Sequence, residues 1–264
     1  MRIHMIQIDG ALQRGLSLLT AVCAAKTGIS PSELASRTGL PTSSVYRLLK
    51  QLDTAGFVRK SAPGCYVPVP GFLSLTQDID RNAILRDLAR PAIFRLARKT
   101  GLTAHLGILE NGMVTYVIRV AARANDSASF TREGGQLEAY CSAVGKVLLS
   151  NLPEDDLNEY LSDGEFVPLT DNTITNAGQL QQEIATARTQ GFALDNFEVS
   201  EDLFCVSVPV GPQPADQNCA ISVSSSRSAR IYEAPESVLD DLRATAAEIA
   251  SRIAGPVEVQ TGNL

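Results

Sequence analysis

Apolar residues recur at helical spacing in three short segments near the start of the chain. The first segment, over about residues 10–26, repeats apolar residues three and four positions apart, which is typical of one buried helix face. The second is predicted to begin at Ser-Pro-Ser-Glu (residues 30–33), because this run supplies a capping hydroxyl, a proline for the first turn and a glutamate three residues after the cap. Gly39 ends that helix, and Pro41 begins a third. The apolar stripe of the third helix consists of Val45, Leu48, Leu49 and Leu52.

After the third helix the pattern changes to two short strands around a turn. Residues 57–60 and 65–67 flank Ser-Ala-Pro-Gly at 61–64, which predicts a β-hairpin. Two short helices joined by a Gly-containing turn, with a hairpin directly after the second, describe a winged helix-turn-helix. The sequence therefore predicts a DNA-binding domain of this kind over residues 8–70.

The exposed face of the third helix is the part that a winged helix places in the major groove. Candidates for contacts with base edges are Ser43, Ser44, Tyr46, Arg47 and Lys50. Ser32 at the start of the second helix, and Arg59 and Lys60 on the hairpin, are expected to hold phosphates and fix the register. The alternative is that these basic side chains are simply solvated. The complete winged pattern favours DNA binding.

Two helical stretches follow the hairpin. Residues 71–81 are predicted to form a helix within a linker assigned to residues 71–84. A second helix is predicted over residues 85–99, where Pro91 indicates a kink or a restart. Helices in this position commonly carry dimer contacts.

Beyond residue 100 the apolar spacing changes to that of strands. Residues 104–109 and 114–120 flank Asn-Gly at 111–112, a strong signal for a two-residue hairpin. Further strands are predicted at about 128–132, 192–197, 203–210 and 218–225, and helices near 143–151, 154–161, 177–190 and 236–253. Hairpins mixed with helices, rather than regular βαβ units, favour an α+β domain with an antiparallel sheet over residues 85–255.

Charge is distributed unevenly between these two regions. The 264 residues carry a net charge of −6, which by itself argues against nucleic acid as a partner. Residues 1–70, however, hold eight Lys/Arg against three Asp/Glu, a net of +5, whereas the remaining residues hold fifteen against twenty-six, a net of −11. A basic domain on an acidic body is what a DNA-binding protein with a separate regulatory part would show.

Several classes of protein are disfavoured by composition. No stretch approaches the ~18 consecutive apolar residues of a membrane helix, and the start of the chain lacks a signal-peptide core, so we expect a cytoplasmic protein. Five scattered cysteines and two histidines favour reduced thiols over a zinc site. His105 is interpreted as a strand residue. No metal, cofactor or catalytic residue is predicted.

Three stretches of the acidic region are candidates for one ligand pocket. Residues 141–146 (Cys-Ser-Ala-Val-Gly-Lys) place small residues before an apolar helix, whose free amides favour an anion. Residues 195–206 form a strand, an acidic loop and another strand. Ser222 and Ser224 lie on one face of a strand. The alternative is that the serines bond within the core and Cys205 merely fills it.

Two runs of the first domain resemble a known family. Residues 34–49 (LASRTGLPTSSVYRLL) and 52–58 (LDTAGFV) are similar to the winged-helix domain of IclR-family transcriptional regulators. Thr42 stands where members often carry Lys or Arg, which removes one phosphate contact but leaves Thr42 among the DNA-binding candidates. In the acidic region, residues 142–146, 191–195 and 221–224 and the Cys205 strand match the family's effector-binding domain in order and spacing. The resemblance covers about residues 10–253.

The resemblance implies a GAF-like effector-binding domain and effectors that are small organic acids, including aromatic and keto acids. It places ligand contacts on Ala143, Val144, Asp195, Leu203, Cys205, Ser222 and Ser224. Amides at 143–145 would take a carboxylate, while the hydroxyls and Asp195 bind the other polar atoms. Tyr140 replaces a common His and Asp202 a common Gly. The acidic loop that contains Asp202 leaves a bulky or partly cationic effector as another possibility.

The leading hypothesis is a transcription factor whose operator binding is controlled by a small organic-acid effector. A homodimer, or a dimer of dimers, would pair two basic modules on double-stranded operator DNA. One alternative is a constitutive DNA-binding protein with a structural, ligand-free body. The other is an enzyme, for which Cys205 or a serine would need a nearby base. Repression or activation, the identity of the acid and the operator sequence stay open.

Overall fold

The computed structural model describes residues 10–25, 27–61, 64–74, 79–121, 131–211, 218–227 and 231–254. Its Cα positions group into two compact units that divide between Asp80 and Arg81. Each unit has a hydrophobic core of its own. None of the helices in the described ranges combines the length and apolarity needed to cross a bilayer.

The first unit is a winged helix-turn-helix, as predicted. Its elements are α1 (Ala11–Cys23), α2 (Pro31–Thr38), α3 (Thr42–Thr54), β1 (Val58–Ser61), β2 (Cys65–Pro68) and α4 (Pro70–Ser74). The Ser30 hydroxyl accepts a hydrogen bond from the Glu33 amide at 3.2 Å and so caps α2. Gly39 ends α2 with φ of 68°, a left-handed conformation that suits glycine. Leu34, Val45 and Leu49 are fully buried between the helices.

The two helices after the hairpin differ from the prediction. The helix predicted over residues 71–81 is α4, which ends at Ser74, and residues 75–78 lie outside the described ranges. The next helix, α5 (Arg81–Thr100), runs through Pro91 without the predicted restart. Pro91 removes one backbone donor, but Ala89, Ala92 and Ile93 beside it are buried in the core. Tertiary packing therefore holds the helix together across the proline.

The second unit is built on a six-stranded antiparallel sheet, which confirms the predicted α+β class. Its strands are β3 (Thr103–Glu110), β4 (Met113–Val120), β5 (Gln136–Glu138), β6 (Ala193–Asn196), β7 (Leu203–Pro209) and β8 (Cys219–Ser226). The order across the sheet is β5-β4-β3-β8-β7-β6. Asn111 and Gly112 form the predicted tight turn with φ of 53° and 78°. Strand β5 was not predicted, and most of the strand predicted at 128–132 lies outside the described ranges.

Helices cover both faces of this sheet. Besides α5, the helices are α6 (Ala143–Ser150), α7 (Glu154–Asp163), α8 (Ala177–Gln190) and α9 (Leu239–Ala254). Helices α5 and α9 pack on one face with the apolar side chains of alternate strand positions, such as Leu106, Val206 and Ile221. On the other face α6 lies against the strands with α8 beside it. Each strand thus sends one set of side chains toward α5 and α9 and the other toward α6.

Two glycines allow close contacts around α6, one with the sheet and one with the turn that leads into the helix. A Cβ added at Gly107 on β3 would lie 2.9 Å from the side chains of Val114 and Val144. A Cβ added at Gly145, in the first turn of α6, would overlap the backbone of Ala139. A flexible side chain can move aside, but the backbone of Ala139 cannot move without disturbing the turn that leads into α6. The start of α6 therefore depends on glycine at position 145.

Gly145→Ala is expected to destabilise the protein by at least about 2 kcal/mol, the range of an overpacked core. Gly15→Ala in α1 is the matched control, because its added Cβ meets only one atom, at 4.0 Å. That control is expected to gain up to about 1 kcal/mol of helix propensity. Urea unfolding of both variants checks this, and equal stability of the two would contradict the packing described here.

Candidate DNA-binding face and ligand cavity

Helix α3 presents a polar face to solvent, opposite its buried stripe. Thr42, Ser43, Arg47 and Lys50 are exposed, and Ser44 is half-buried. Tyr46 is 57% exposed, which is unusual for a large ring and leaves it free to contact a base. All the residues that the sequence assigned to base contacts therefore share one accessible side of the helix, with Ser44 at its margin.

The basic and hydroxyl side chains proposed to contact DNA differ in the ion pairs and hydrogen bonds they make within the first unit. The Arg59 guanidinium on β1 lies 3.1 Å from the Asp53 carboxylate of α3, so this ion pair ties the wing to the recognition helix. The Ser32 hydroxyl lies 3.1 Å from the hydroxyl of Ser30 at the start of α2. Arg47 and Lys60, together with Lys50, have no carboxylate partner among the described residues. No ion pair within the described residues competes with phosphates or bases for these three cations.

All seven residues predicted to contact an effector line one cavity in the second unit. The cavity lies on the α6 side of the sheet. Its volume, measured as the space open to the centre of a water molecule, is about 20 Å³, roughly enough for one water. The seven are Ala143, Val144, Asp195, Leu203, Cys205, Ser222 and Ser224. Seven further residues complete the lining, and of these only Ser142 lies in a stretch that the sequence assigned to the pocket: Thr103, His105, Tyr116, Arg119, Thr131, Leu137 and Ser142.

Strand register explains why these side chains meet. Asp195 pairs with Cys205, Cys205 with Ser224, and Ser224 with Thr103, which makes a row across four strands. A second row runs from Ser222 through His105 to Arg119. Directly paired residues point to the same face of a sheet. Both rows therefore face the cavity.

His105 is the most informative of the residues that sequence reasoning missed. It is buried, its Nε2 lies 2.8 Å from the Thr131 hydroxyl, and its ring centre lies 5.2 Å from that of Tyr116. The prediction that it is a strand residue is confirmed. The sequence shows that His105 and Thr103, two positions apart on one strand, share a face of that strand. Only the pairing of His105 with Ser222 shows that this face lines the cavity.

The start of α6 directs backbone donors toward the cavity. Ser142 caps the helix, its hydroxyl accepting a hydrogen bond from the Gly145 amide at 3.0 Å. Ala143 and Val144 are the first residues of the helix, where amides have no partner within the helix itself. The helix dipole adds a partial positive charge at this end. Both features suit an anion.

A buried ion pair connects α6 to the residues at the end of β6. The Lys146 ammonium lies 2.5 Å from the Glu198 carboxylate and 3.1 Å from the Leu194 carbonyl oxygen. Both charged side chains are at most 4% exposed. Burial raises the pKa of Glu198 above its ordinary value even though Lys146 lowers it. Glu183, which is partly exposed, lies 3.6 Å from the same ammonium.

Asp195 is the buried acid of the cavity. Its Oδ1 accepts hydrogen bonds from the amides of Glu198 at 2.7 Å and Val199 at 3.3 Å. Burial nevertheless raises the pKa of Asp195 to about 7. Burial, and then the neighbouring Asp195, raise the pKa of the Cys205 thiol well above its usual range. The thiolate is the nucleophilic form, and this environment disfavours it.

Metal binding finds no support in the described ranges, where no group of three or more His, Cys, Asp or Glu side chains is placed to hold an ion.

A winged helix-turn-helix with exposed cations, on a chain that also carries a sheet domain with a polar cavity, is typical of transcription regulators. Residues 11–62 match the IclR helix-turn-helix domain, and residues 78–251 match the bacterial transcriptional regulator IclR C-terminal family. The chain belongs to the IclR family of transcriptional regulators.

Similar proteins cover most of the chain. The HTH-type transcriptional regulator RhmR of Escherichia coli (strain K12), itself described as uncharacterized, is 32% identical over 82% of this chain and 83% of its own. The crystal structure of Thermotoga maritima IclR is 27% identical with a TM-score of 0.61, over 92% of this chain and 98% of that one. An IclR homologue from Microbacterium hydrocarbonoxydans, solved in complex with 4-hydroxybenzoate, is 20% identical with a TM-score of 0.60, over 92% and 99%.

Lys146→Met is expected to cost about 3–5 kcal/mol of stability, because it leaves Glu198 buried without its cation. The loss should be greater at pH 8 than at pH 5, since Glu198 can become neutral by binding a proton at the lower pH. Urea unfolding at both pH values measures this difference. Glu183→Gln, which removes only the more exposed partner, is the control and should cost less than about 1 kcal/mol. Equal losses at the two pH values would contradict a charged buried pair.

Proposed function

We propose that a small organic acid, bound in the cavity of the second unit, controls operator binding by the winged helix-turn-helix. The observation that carries this proposal is the convergence of seven predicted contact residues from α6 and three strands on one polar cavity. The 4-hydroxybenzoate complex of the Microbacterium hydrocarbonoxydans homologue supports a carboxylate as the ligand. We assign DNA binding to residues 8–70, the linker to 71–84 and effector binding to 85–255.

The chemistry of the lining favours an acid with few atoms. Ala143 and Val144 offer amides at a helix N-terminus, and Ser222 and Ser224 offer hydroxyls. Arg119 adds a cation at the cavity wall. Because the space is narrow, a ligand of aromatic size enters only if lining side chains move apart. Binding of such a ligand would therefore change the conformation of the second unit.

Operator binding is assigned to α3 and the wing. Tyr46, Arg47, Lys50, Ser43 and Ser44 are proposed to contact base edges. Ser32, Thr42, Arg59 and Lys60 are proposed to contact phosphates. We propose that the protein acts as a homodimer, or a dimer of dimers, so that two modules meet two half-sites. Ligand control then requires that the acid bind the DNA-competent and DNA-incompetent states with different affinity.

Arg47→Ala is expected to weaken binding to a DNA fragment from the protein's own promoter region by about 1–3 kcal/mol, because a base contact is lost. Lys60→Ala is expected to weaken all DNA sequences equally and to lower the slope of log K against log salt by about one. Arg243→Ala, an exposed charge on α9, is the control and should leave the affinity unchanged. Fluorescence anisotropy at several salt concentrations measures all three. Identical DNA binding by Arg47→Ala and the unmodified protein would contradict the assignment.

A thermal-shift screen tests the effector site with benzoate, 4-hydroxybenzoate and pyruvate. At least one acid is expected to raise the melting temperature, because a ligand that binds only the folded state stabilises it. Ser224→Ala should reduce that shift, since its hydroxyl faces the cavity. Ser225→Ala is the matched control, because the next residue of β8 points to the opposite face. No shift with any acid would favour a structural, ligand-free body.

A further inference from the structure

One carboxyl group in the cavity is held by only one of its oxygens. Asp195 is 1% exposed, and both of the backbone amides that it binds donate to Oδ1. Oδ2 makes no hydrogen bond of ordinary length and angle among the described residues, and the one side-chain donor that acts on this carboxyl is the weakly donating thiol of Cys205. A buried polar atom without water or a partner is costly, so native structures rarely leave one without a function. Oδ2 is the atom that a ligand in the cavity can reach.

The cation that acts on Asp195 is already paired with other carboxylates. Lys146 is the cation that acts on Asp195, yet its ammonium lies 2.5 Å from Glu198 and 3.6 Å from Glu183. An ionised Asp195 would add a further buried negative charge beside Lys146, whereas a protonated one adds none. The raised pKa of Asp195, about 7, agrees with a preference for the protonated form. The other titratable or charged side chains around it or across the cavity are Cys205, Cys141, Tyr116, His105 and Arg119.

The proton of a neutral Asp195 has only one place to go. Oδ1 already accepts two amide hydrogens, so the proton belongs on Oδ2. In a cavity with room for about one water, an entering carboxylate lies against Asp195 as well as against the amides of α6. Two carboxyl groups in one buried site do not both ionise; they share a proton. The ligand's own acid group therefore completes the hydrogen bonding of Asp195.

We infer that Asp195 receives the effector's carboxylate as a neutral acid, donating its proton from Oδ2, so that the cavity binds carboxylates together with one proton. The inference rests on the proposed function and narrows it, because a cationic amine would require the ionised form of Asp195. Below neutral pH the acid binds without any change in protonation. Above it, one proton is taken up from solvent as the carboxylate enters.

Calorimetry of the full chain tests this with the acid that gives the largest thermal shift among benzoate, 4-hydroxybenzoate and pyruvate. Titrations at pH 6 and pH 8.5, in two buffers with different heats of ionisation, count the protons exchanged. We expect none at pH 6 and about one taken up per site at pH 8.5. The affinity is expected to fall about tenfold per pH unit above neutral. The primary amide of the same acid should take up no proton.

Asp195→Asn is the diagnostic variant. Its amide oxygen can accept the two backbone hydrogens while its nitrogen donates where Oδ2 stood. The variant is expected to bind the acid without proton uptake and with the same affinity at both pH values. His105→Gln removes the imidazole of the cavity wall, and proton uptake should persist in that variant.

The outcomes separate the two levels of the proposal. Binding of an acid with no proton uptake at pH 8.5, affinity that rises with pH, or an Asp195→Asn variant as pH-dependent as the parent would each overturn the inference and leave the proposed function standing. Failure of all three acids to bind at pH 6 would overturn both. The proton count of the unmodified protein decides the matter even if the variant folds poorly.

Discussion

Close contact between α6 and the sheet is the constraint on which the rest of the second unit depends. Gly145 brings the first turn of the helix onto the backbone of Ala139, and Gly107 clears the strand beneath it. Ala143 and Val144, the first residues of α6, line the cavity together with the polar rows of the sheet. The close contact also buries Lys146, which then needs Glu198 as a partner. The short run Ser-Ala-Val-Gly-Lys at 142–146 thus encodes a cap, a cavity wall, a close approach and an anchor.

Charge acts on two scales in this protein. The excess of basic residues in residues 1–70 and of acidic residues in the remainder separates the DNA-binding and ligand-binding parts by sign. Inside the acidic part, however, the proposed anion site depends on local donors rather than on net charge. The cavity wall carries amides, hydroxyls and Arg119. Its acid, Asp195, stays compatible with an anion when it holds a proton.

Local signals predicted most of the elements, and long-range pairing supplied what they missed. The cap at Ser30, the glycine at 39 and the Asn-Gly turn at 111–112 each fix a boundary through backbone geometry, so the sequence alone sufficed there. The spacing of apolar residues within a strand does not reveal that β3 lies between β4 and β8. His105 and Arg119 were missed for that reason, because they reach the cavity only through this strand order. Of the two outcomes expected at Pro91, the restart does not occur, because core packing holds α5 together across the proline.

The central claim is that occupation of the cavity and binding of the operator are one coupled equilibrium. The most direct test measures the affinity for operator DNA with and without a saturating acid, and the affinity for the acid with and without saturating DNA, at fixed salt and pH. Coupling through the protein must change both affinities by the same factor. We predict equal factors well above or below one. An operator affinity that stays the same when the acid is fully bound would contradict the account.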